Sequence, residues 1–396
     1  MAVASKHCVA HHFNLPFSEV LVEAWSKEQT EVHGEAPAFG VLFCAADALA
    51  HAREILEIVR IYARVPVMIG CSGGGLIANA HEFESEGGFG ISLYYLPNTK
   101  AEVVHLPTHL FEGERIAEGL SQLIQGQAHS ANSWMLFASS ESFTNESWLA
   151  DWDKATGGRV TIGGFACGVY ADGRAALYAN GDEYNEGAVA LSLSGEVTIE
   201  PVVSQGCRPV GSPWTVTHAD HNVIHQIGNR PILEVLRDTL EAMSQKEQQL
   251  ARGNIFIGLV LDEYKQDFER GDFLVRNLAG IDPKTGAVAI ATPLRVGQNL
   301  QFQIRDGNTA SLDFEAMLRD RVIQLKGRSV YGACLCDCIG RGSSLFGVPD
   351  HDVSVIRDII PGLNVGGVFC NGEFATVDGR TLLHGYAATL GLFVGV

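Results

Sequence analysis

The residue types best suited to chemistry gather near the end of this chain. They lie in Cys338-Ile-Gly-Arg341-Gly-Ser343-Ser-Leu-Phe-Gly347, then in Asn371-Gly-Glu373 and in Leu383-His384-Gly385. Arg341, flanked by glycines, carries a planar guanidinium that grips a carboxylate with two prongs. Glu373 suits an ammonium, Asn371 a polar group, and His384 adds a proton that titrates near neutrality. Cys338 and Ser343 flank the arginine. If the strands leading into Arg341 and into Asn371 are parallel neighbours, their carboxyl ends bring these groups together, where α/β sheets bind ligands. The opposing reading is that Arg341 and Glu373 pair with each other as a structural bridge. Both stay open from the sequence.

Other stretches resemble chemical motifs less well. Gly70-Cys-Ser72-Gly-Gly74 has the spacing of a nucleophile elbow, but glycines and Leu-Ile-Ala-Asn79 follow where a helix is required. A tight glycine turn explains it better. Gly70 to Gly75 lacks the Lys-Ser/Thr of a phosphate loop and the spacing of a dinucleotide loop. Cys334-Leu-Cys336-Asp-Cys338 puts three thiols on one strand face, which is poor geometry for a tetrahedral metal and reads as buried structural cysteine. His218-Ala-Asp220-His221 and His351-Asp352 are isolated pairs that read as loop or helix-start groups, so no metal is assigned. An enzyme reading, hydrolase-like with Ser72 or Cys338 as nucleophile, stands as an alternative to ligand binding.

Three places share one pattern that would position these groups. Phe39-Gly-Val-Leu-Phe43 is followed by Val67-Met-Ile-Gly70 to Gly75, Trp134-Met-Leu-Phe137 by Val160-Thr-Ile-Gly163 to Gly168, and Val330 to Leu335 by Val365-Gly-Gly367 to Gly372. Each is an apolar strand, a crossover, and a second strand ending in Gly-x4-Gly. Another strand follows each time, at Gly90–Leu96, Gly187–Leu193 and Gly385–Phe393. The spacing suits parallel strands, and continuous apolar runs suit strands covered on both faces. Ala48, Ala52, Ile55, Leu56, Val59 and Tyr62 form one helical stripe, with Asp47 placed to cap it.

Between the second and third patterns the character changes. Pro231 opens a helix through Leu233, Leu236 and Leu240, strands follow at 255–261, 273–278, 287–292 and 300–304, and a helix covers 311–325. The expected fold is α/β, in two domains with mixed, largely parallel-core sheets flanked by helices and partly built from the repeated unit. The domains are 1–215 and 216–396, divided within Gly206-Cys-Arg-Pro-Val-Gly-Ser-Pro213.

Composition narrows the partners. The chain has 396 residues, enough for about two domains. Its 28 Lys plus Arg against 46 Asp plus Glu give a formal charge of −18, and the one basic cluster, Arg319 to Arg328, is broken by Asp320 and preceded by Asp313. Nucleic acid and anionic lipid are therefore not expected partners. No apolar run approaches the ~18 residues of a membrane helix, and the N-terminus has no leader core. Nine cysteines, an odd count with several in apolar stretches, point to free thiols and to the cytoplasm.

The C-terminal stretch resembles the FIST domain family, with Cys338, Gly340, Arg341, Gly342, Leu345, Phe346, Gly347, Gly372, Glu373, His384 and Gly385 at its motif places. Ile69 to Ile77 with Glu82 is similar to the family's N-terminal half, and Gly271 to Asn277 with the Asp282 to Val288 turn to the middle of its C-terminal half. The resemblance implies a sensory module for small molecules such as amino acids, acting in signal transduction. The matches run from near residue 39 almost to Val396, so a stand-alone sensor that signals through a partner protein is expected. Some bacterial relatives are linked to haem and nitric oxide sensing. That keeps haem as a further alternative, with no ligating histidine marked by these motifs.

Overall fold

Phe39-Gly-Val-Leu-Phe-Cys44 is a strand because both of its faces have apolar surface to bury. In the computed structural model, which describes residues 7–168, 173, 175–265, 267–268 and 271–396, Phe39, Val41 and Phe43 enter one core cluster while Leu42 and Cys44 enter another. The chain folds as two units, Met1–Val203 with Glu315–Val396, and Ser204–Phe314.

The first unit is built from three runs of strands. The first run is β1 (Cys8–Phe13), β2 (Phe39–Cys44), β3 (Met68–Ser72), β4 (Leu76–Ala78), β5 (His81–Phe83) and β6 (Phe89–Tyr94). The second is β7 (Thr99–Leu106), β8 (Ser133–Ser139), β9 (Val160–Ala166), β10 (Leu177–Ala179), β11 (Asp182–Tyr184) and β12 (Ala188–Gly195). The third is β13 (Val197–Ser204), β14 (Val330–Cys338), β15 (Val365–Cys370), β16 (Glu373–Val377), β17 (Arg380–His384) and β18 (Ala388–Gly395). They form sheets in the orders β1-β6-β2-β3-β10-β11, β7-β12-β8-β9-β16-β17 and β13-β18-β14-β15-β4-β5.

Each sheet is mixed, with a central parallel pair, β2–β3, β8–β9 or β14–β15. In each run the hairpin after the Gly-x4-Gly turn leaves its own sheet and pairs with the second strand of another: β4 with β15, β10 with β3, and β16 with β9. The inner faces of all three sheets share one core, which includes Phe43, Ile69, Phe137, Ile162, Cys336, Val368 and Phe393.

Helices cover the outer faces of the first two sheets. α1 (Glu19–His33) and α2 (Ala52–Tyr62) lie in the first run, α3 (Ile116–Ala128) and α4 (Trp148–Thr156) in the second. α5 (Gly307–Gln324) precedes β14, and α6 (Ser343–Phe346) and α7 (His351–Ile359) link β14 to β15. The expected stripe of α2 is observed, with Ala52, Ile55, Leu56 and Val59 buried. Asp47 does not cap it. Asp47 sits in the short 3-10 turn Ala46–His51 and accepts the Gly88 N–H at 2.9 Å.

The second unit is antiparallel. Its strands run Cys207–Asp220, Asn299–Arg305, Ile255–Val260, Phe273–Ile281, Val288–Ile290, Val223–Ile227 and Arg230–Pro231. Pairing of Cys207–Asp220 with Val223–Ile227 closes it into a small barrel around Val216, Ile257, Phe302 and Ile304. Helix Ile232–Glu241 contributes Ile232, Val235 and Leu236 to that core.

One contact recurs in the three sheets. A Cβ built on Gly70, Gly163 or Gly367 would lie 1.8, 1.8 or 2.2 Å from the carbonyl oxygen of Leu42, Leu136 or Leu335 on the parallel neighbour. Backbone cannot yield that far, so only glycine fits. Gly163→Ala should destabilise the protein by about 3 kcal/mol or more in chemical denaturation, as overpacking against a rigid wall does. Gly126→Ala, in α3 with open space around it, should instead be neutral or stabilise by up to about 1 kcal/mol.

Candidate functional site

β14 and β15 run parallel with Cys338 beside Cys370, so Arg341 and Asn371 follow from the same end of one sheet. Beyond Asn371 the chain turns through Gly372 at φ 116 and enters β16, which pairs Glu373 with Gly164 of β9 and with His384 of β17. Three glycine turns meet here. The Gly74 N–H donates to Phe369 O at 3.0 Å, Cys167 N–H to Ser72 O at 3.1 Å, and Asn371 N–H to Phe165 O at 3.0 Å. Gly74 and Asn371 are exposed, and Cys167 is half-buried.

Beneath that surface lie the groups expected to act together. Glu373 is fully buried and His384 nearly so. The Glu373 carboxylate accepts the Gly372 N–H at 3.3 Å and the Ala387 N–H at 3.1 Å. Burial pushes its pKa up to about 8, against those backbone donors, a hydrogen bond from the Cys338 thiol and the charge of Arg341. The structure therefore brings Cys338, Glu373 and His384 together, with Asn371 at the turn above them.

Arg341 has another role. It is 1% exposed, and it does grip a carboxylate with two prongs: Nε donates to Asp352 Oδ2 at 2.7 Å and Nη2 to Asp352 Oδ1 at 2.9 Å. Asp337 Oδ1 lies 3.0 Å from Nε. The partner is thus the protein's own Asp352 rather than Glu373. The Phe346 ring lies 5.2 Å from the guanidinium and stacks at 3.6 Å on His351, whose Nδ1 is 3.0 Å from Asp352 Oδ1.

Glu82 of β5 joins this cluster by accepting the Val353 N–H at 2.9 Å, at the start of α7. One guanidinium cannot balance three buried carboxylates, so protons are retained. Burial and then the Asp352 charge raise Asp337 well above the usual carboxylate range. Although burial opposes it, Arg341 together with the His351 and Asp337 side chains holds Asp352 well below that range. Burial and Asp352 push Glu82 up to about 7.

The other motif residues serve this framework. Gly342, at φ 76, leaves room for the Glu84 carboxylate, which a Cβ would approach to 2.5 Å. Glu84 accepts the Ser343 N–H at 2.8 Å and the Ser343 hydroxyl at 3.0 Å. Ser72 is fully buried; its hydroxyl donates to Cys167 O at 2.7 Å and accepts the Ala176 N–H at 3.0 Å, so it joins two turns. His218 stacks on His225 at 4.6 Å, and His221 occupies a left-handed turn position. Among the described residues no group of three or more His, Cys, Asp or Glu is arranged to hold a metal ion.

Sequence reasoning overlooked Asp337 and Glu84. Asp337 had a signal: it is the one charged residue in an apolar strand, and a buried charge requires a partner. Glu84 had none, because its partner Ser343 is 259 positions away.

Two expectations follow. Arg341→Met leaves the buried carboxylates without their cation and should cost about 3–5 kcal/mol in chemical denaturation. Arg341→Met combined with Asp352→Asn should recover part of that loss. The second concerns pH. Glu82 and Glu373 both have folded pKa values above their unfolded value of 4.5, so their stabilising contribution is full below that value and is lost progressively as pH rises from there through about 7 for Glu82 and about 8 for Glu373. The melting temperature should fall across that window, and Glu82→Gln should flatten its lower part.

A FIST N domain model matches residues 38–230, and a FIST C domain model matches residues 233–376. A Mycobacterium tuberculosis protein named only "uncharacterized protein" is 34% identical over 377 residues, covering 94% of this chain and 95% of its own length. A similarly named Mycobacterium bovis protein is 33% identical over 383 residues, covering 95% of each. FIST domains are generally considered sensory domains of signalling proteins. Both parts of the family match in order, and relatives one-third identical align along almost the whole length; this chain belongs to the FIST family.

Proposed function

We propose that the protein is a sensor that binds a small polar metabolite, an amino acid or a compound like it, at the carboxyl ends of β14 and β15. The observation that carries this reading is the buried Cys338–Glu373–His384 group lying beneath the exposed Asn371 turn. A preformed polar cluster at the end of a parallel pair is where a ligand's orientation can be fixed. Asn371 and Ser343 offer exposed polar contacts, Glu373 a carboxyl that an arriving ammonium would hold ionised, and His384 a second polar group. Arg341 acts one step back, holding the 341–352 segment in place through Asp352.

In this reading the signal passes to a partner protein. Nine free cysteines support a reducing compartment, the cytoplasm, as the place of action. No described helix is long and apolar enough to cross a membrane. We also propose that the three sheets are copies of one unit. Their identical strand orders and the recurring glycine contact support this.

A thermal-shift screen against amino acids, small organic acids and haem tests the ligand reading. Binding to the folded state alone adds RT ln(1 + [L]/Kd), about 2.7 kcal/mol at a hundredfold excess over Kd. A shift confined to one class of amino or organic acid, and reduced in Asn371→Ala, is the expected result. A shift that Asn371→Ala and Glu373→Gln both leave unchanged would move the site elsewhere.

A further inference from the structure

A row of thiols runs along the inner face of β14, and only its last member reaches the open end of the sheet. Cys334 and Cys336 are fully buried, Cys338 is 6% exposed, and the following Ile339 is 49% exposed. Cys370 of β15 lies directly beside Cys338 in parallel register. Neighbouring strands lie about 4.8 Å apart, within the Cα separation of about 4.4–6.8 Å that a disulfide spans. Cys370 also hydrogen-bonds Cys336, so its thiol points into the same row.

The surroundings of Cys338 differ from those of the other thiols. Its sulfur accepts the Gly340 N–H at 3.5 Å and hydrogen-bonds the Glu373 carboxylate, and Arg341 places positive charge nearby. A base, an N–H donor and a cation are what a thiolate requires to form. Cys167 is more exposed, but its Sγ donates to Phe369 O at 3.3 Å and burial pushes it up to about 11. Although the Cys336 bond pulls the other way, burial leaves Cys370 raised to about 12, so it stays protonated until an activated sulfur stands beside it.

We propose that Cys338 is a peroxide-reactive thiol, with Glu373 as its base and Cys370 as the partner that converts the oxidised product into a disulfide. In the first step Glu373 takes the Cys338 proton and the thiolate attacks one peroxide oxygen. The O–O bond breaks, and the leaving hydroxide takes the proton from Glu373 to become water, leaving a sulfenic acid. In the second step Cys370 gives its proton to Glu373 and attacks the Cys338 sulfur. The S–O bond breaks, and the leaving hydroxide takes that proton from Glu373 to become a second water. Two thiols are oxidised and one peroxide is reduced. This goes beyond the ligand reading and stands without it.

The test is brief hydrogen peroxide treatment of the full chain, followed by denaturation, thiol alkylation and peptide mass spectrometry. The expected product is a Cys338–Cys370 linked peptide that a dithiol reductant reverses. Cys370→Ser should trap a sulfenic acid on Cys338 that a dimedone-type reagent captures, and Cys338→Ser should leave Cys370 alkylatable. Glu373→Gln should slow the loss of the Cys338 thiol by on the order of 10²-fold, the usual contribution of a positioned base. Should that variant not fold, the order of thiol loss in the unmodified chain decides. Cys338 lost before the more exposed Cys167 supports the proposal. Cys167 lost first, or a Cys338 as slow as Cys334, overturns it.

Discussion

Each sheet of the larger unit depends on a strand carrying no side chain where it crosses its parallel neighbour. Gly70, Gly163 and Gly367 abut the carbonyls of Leu42, Leu136 and Leu335, closer than any Cβ could come. Packing that tight leaves the strand end free to turn through the second glycine and send the next hairpin into a different sheet. The hairpins β4–β5, β10–β11 and β16–β17 thereby tie the three sheets around one core. The same exchange carries Glu373 and His384 to Cys338, which belongs to another sheet. The meeting of these three side chains is thus a by-product of how the sheets are joined.

Around that junction, charge is arranged to hold a segment rather than to expose it. Arg341, Asp337, Asp352 and Glu82 are all nearly or fully buried, and their pairing fixes the chain from the end of β14 to the start of α7. Replacing such a network with apolar side chains of similar volume is often neutral for stability, so its use here is better understood as fixing geometry. Glu82 and Glu84 arrive from the first strand run, and Asp350 returns the contact by accepting the Glu82 N–H at 2.7 Å. The Gly-Arg-Gly segment is held from both sides and presents Ser343 and Ile339 outward.

Much of the strand framework was legible in the sequence. Continuous apolar runs around Leu42, Leu136 and Leu335 correspond to strands buried on both faces, and the alternation of Phe39, Val41 and Phe43 with Leu42 and Cys44 explains why no polar face interrupts them. The strands after residue 255 and the helix opened by Pro231 were legible from β-branched runs and turn chemistry. The exchange of hairpins was not, because β4, β5, β10 and β11 are three residues long and their partners are set by tertiary packing. At the site, the motif identified the region and the two-pronged use of Arg341. It could not reveal that the carboxylate held is Asp352, eleven positions on, because a loop and a one-turn helix lie between them.

The proposed ligand-binding surface is the junction of the glycine turns. Its most direct measurement is backbone amide chemical-shift mapping by NMR while a compound that raises the melting temperature is added. Shifts are expected at Gly74, Cys167, Ile339, Asn371 and Glu373, with the barrel strands at 207–220 and 299–305 unchanged. Shifts concentrated in that barrel, with Asn371 and Glu373 silent, would contradict it.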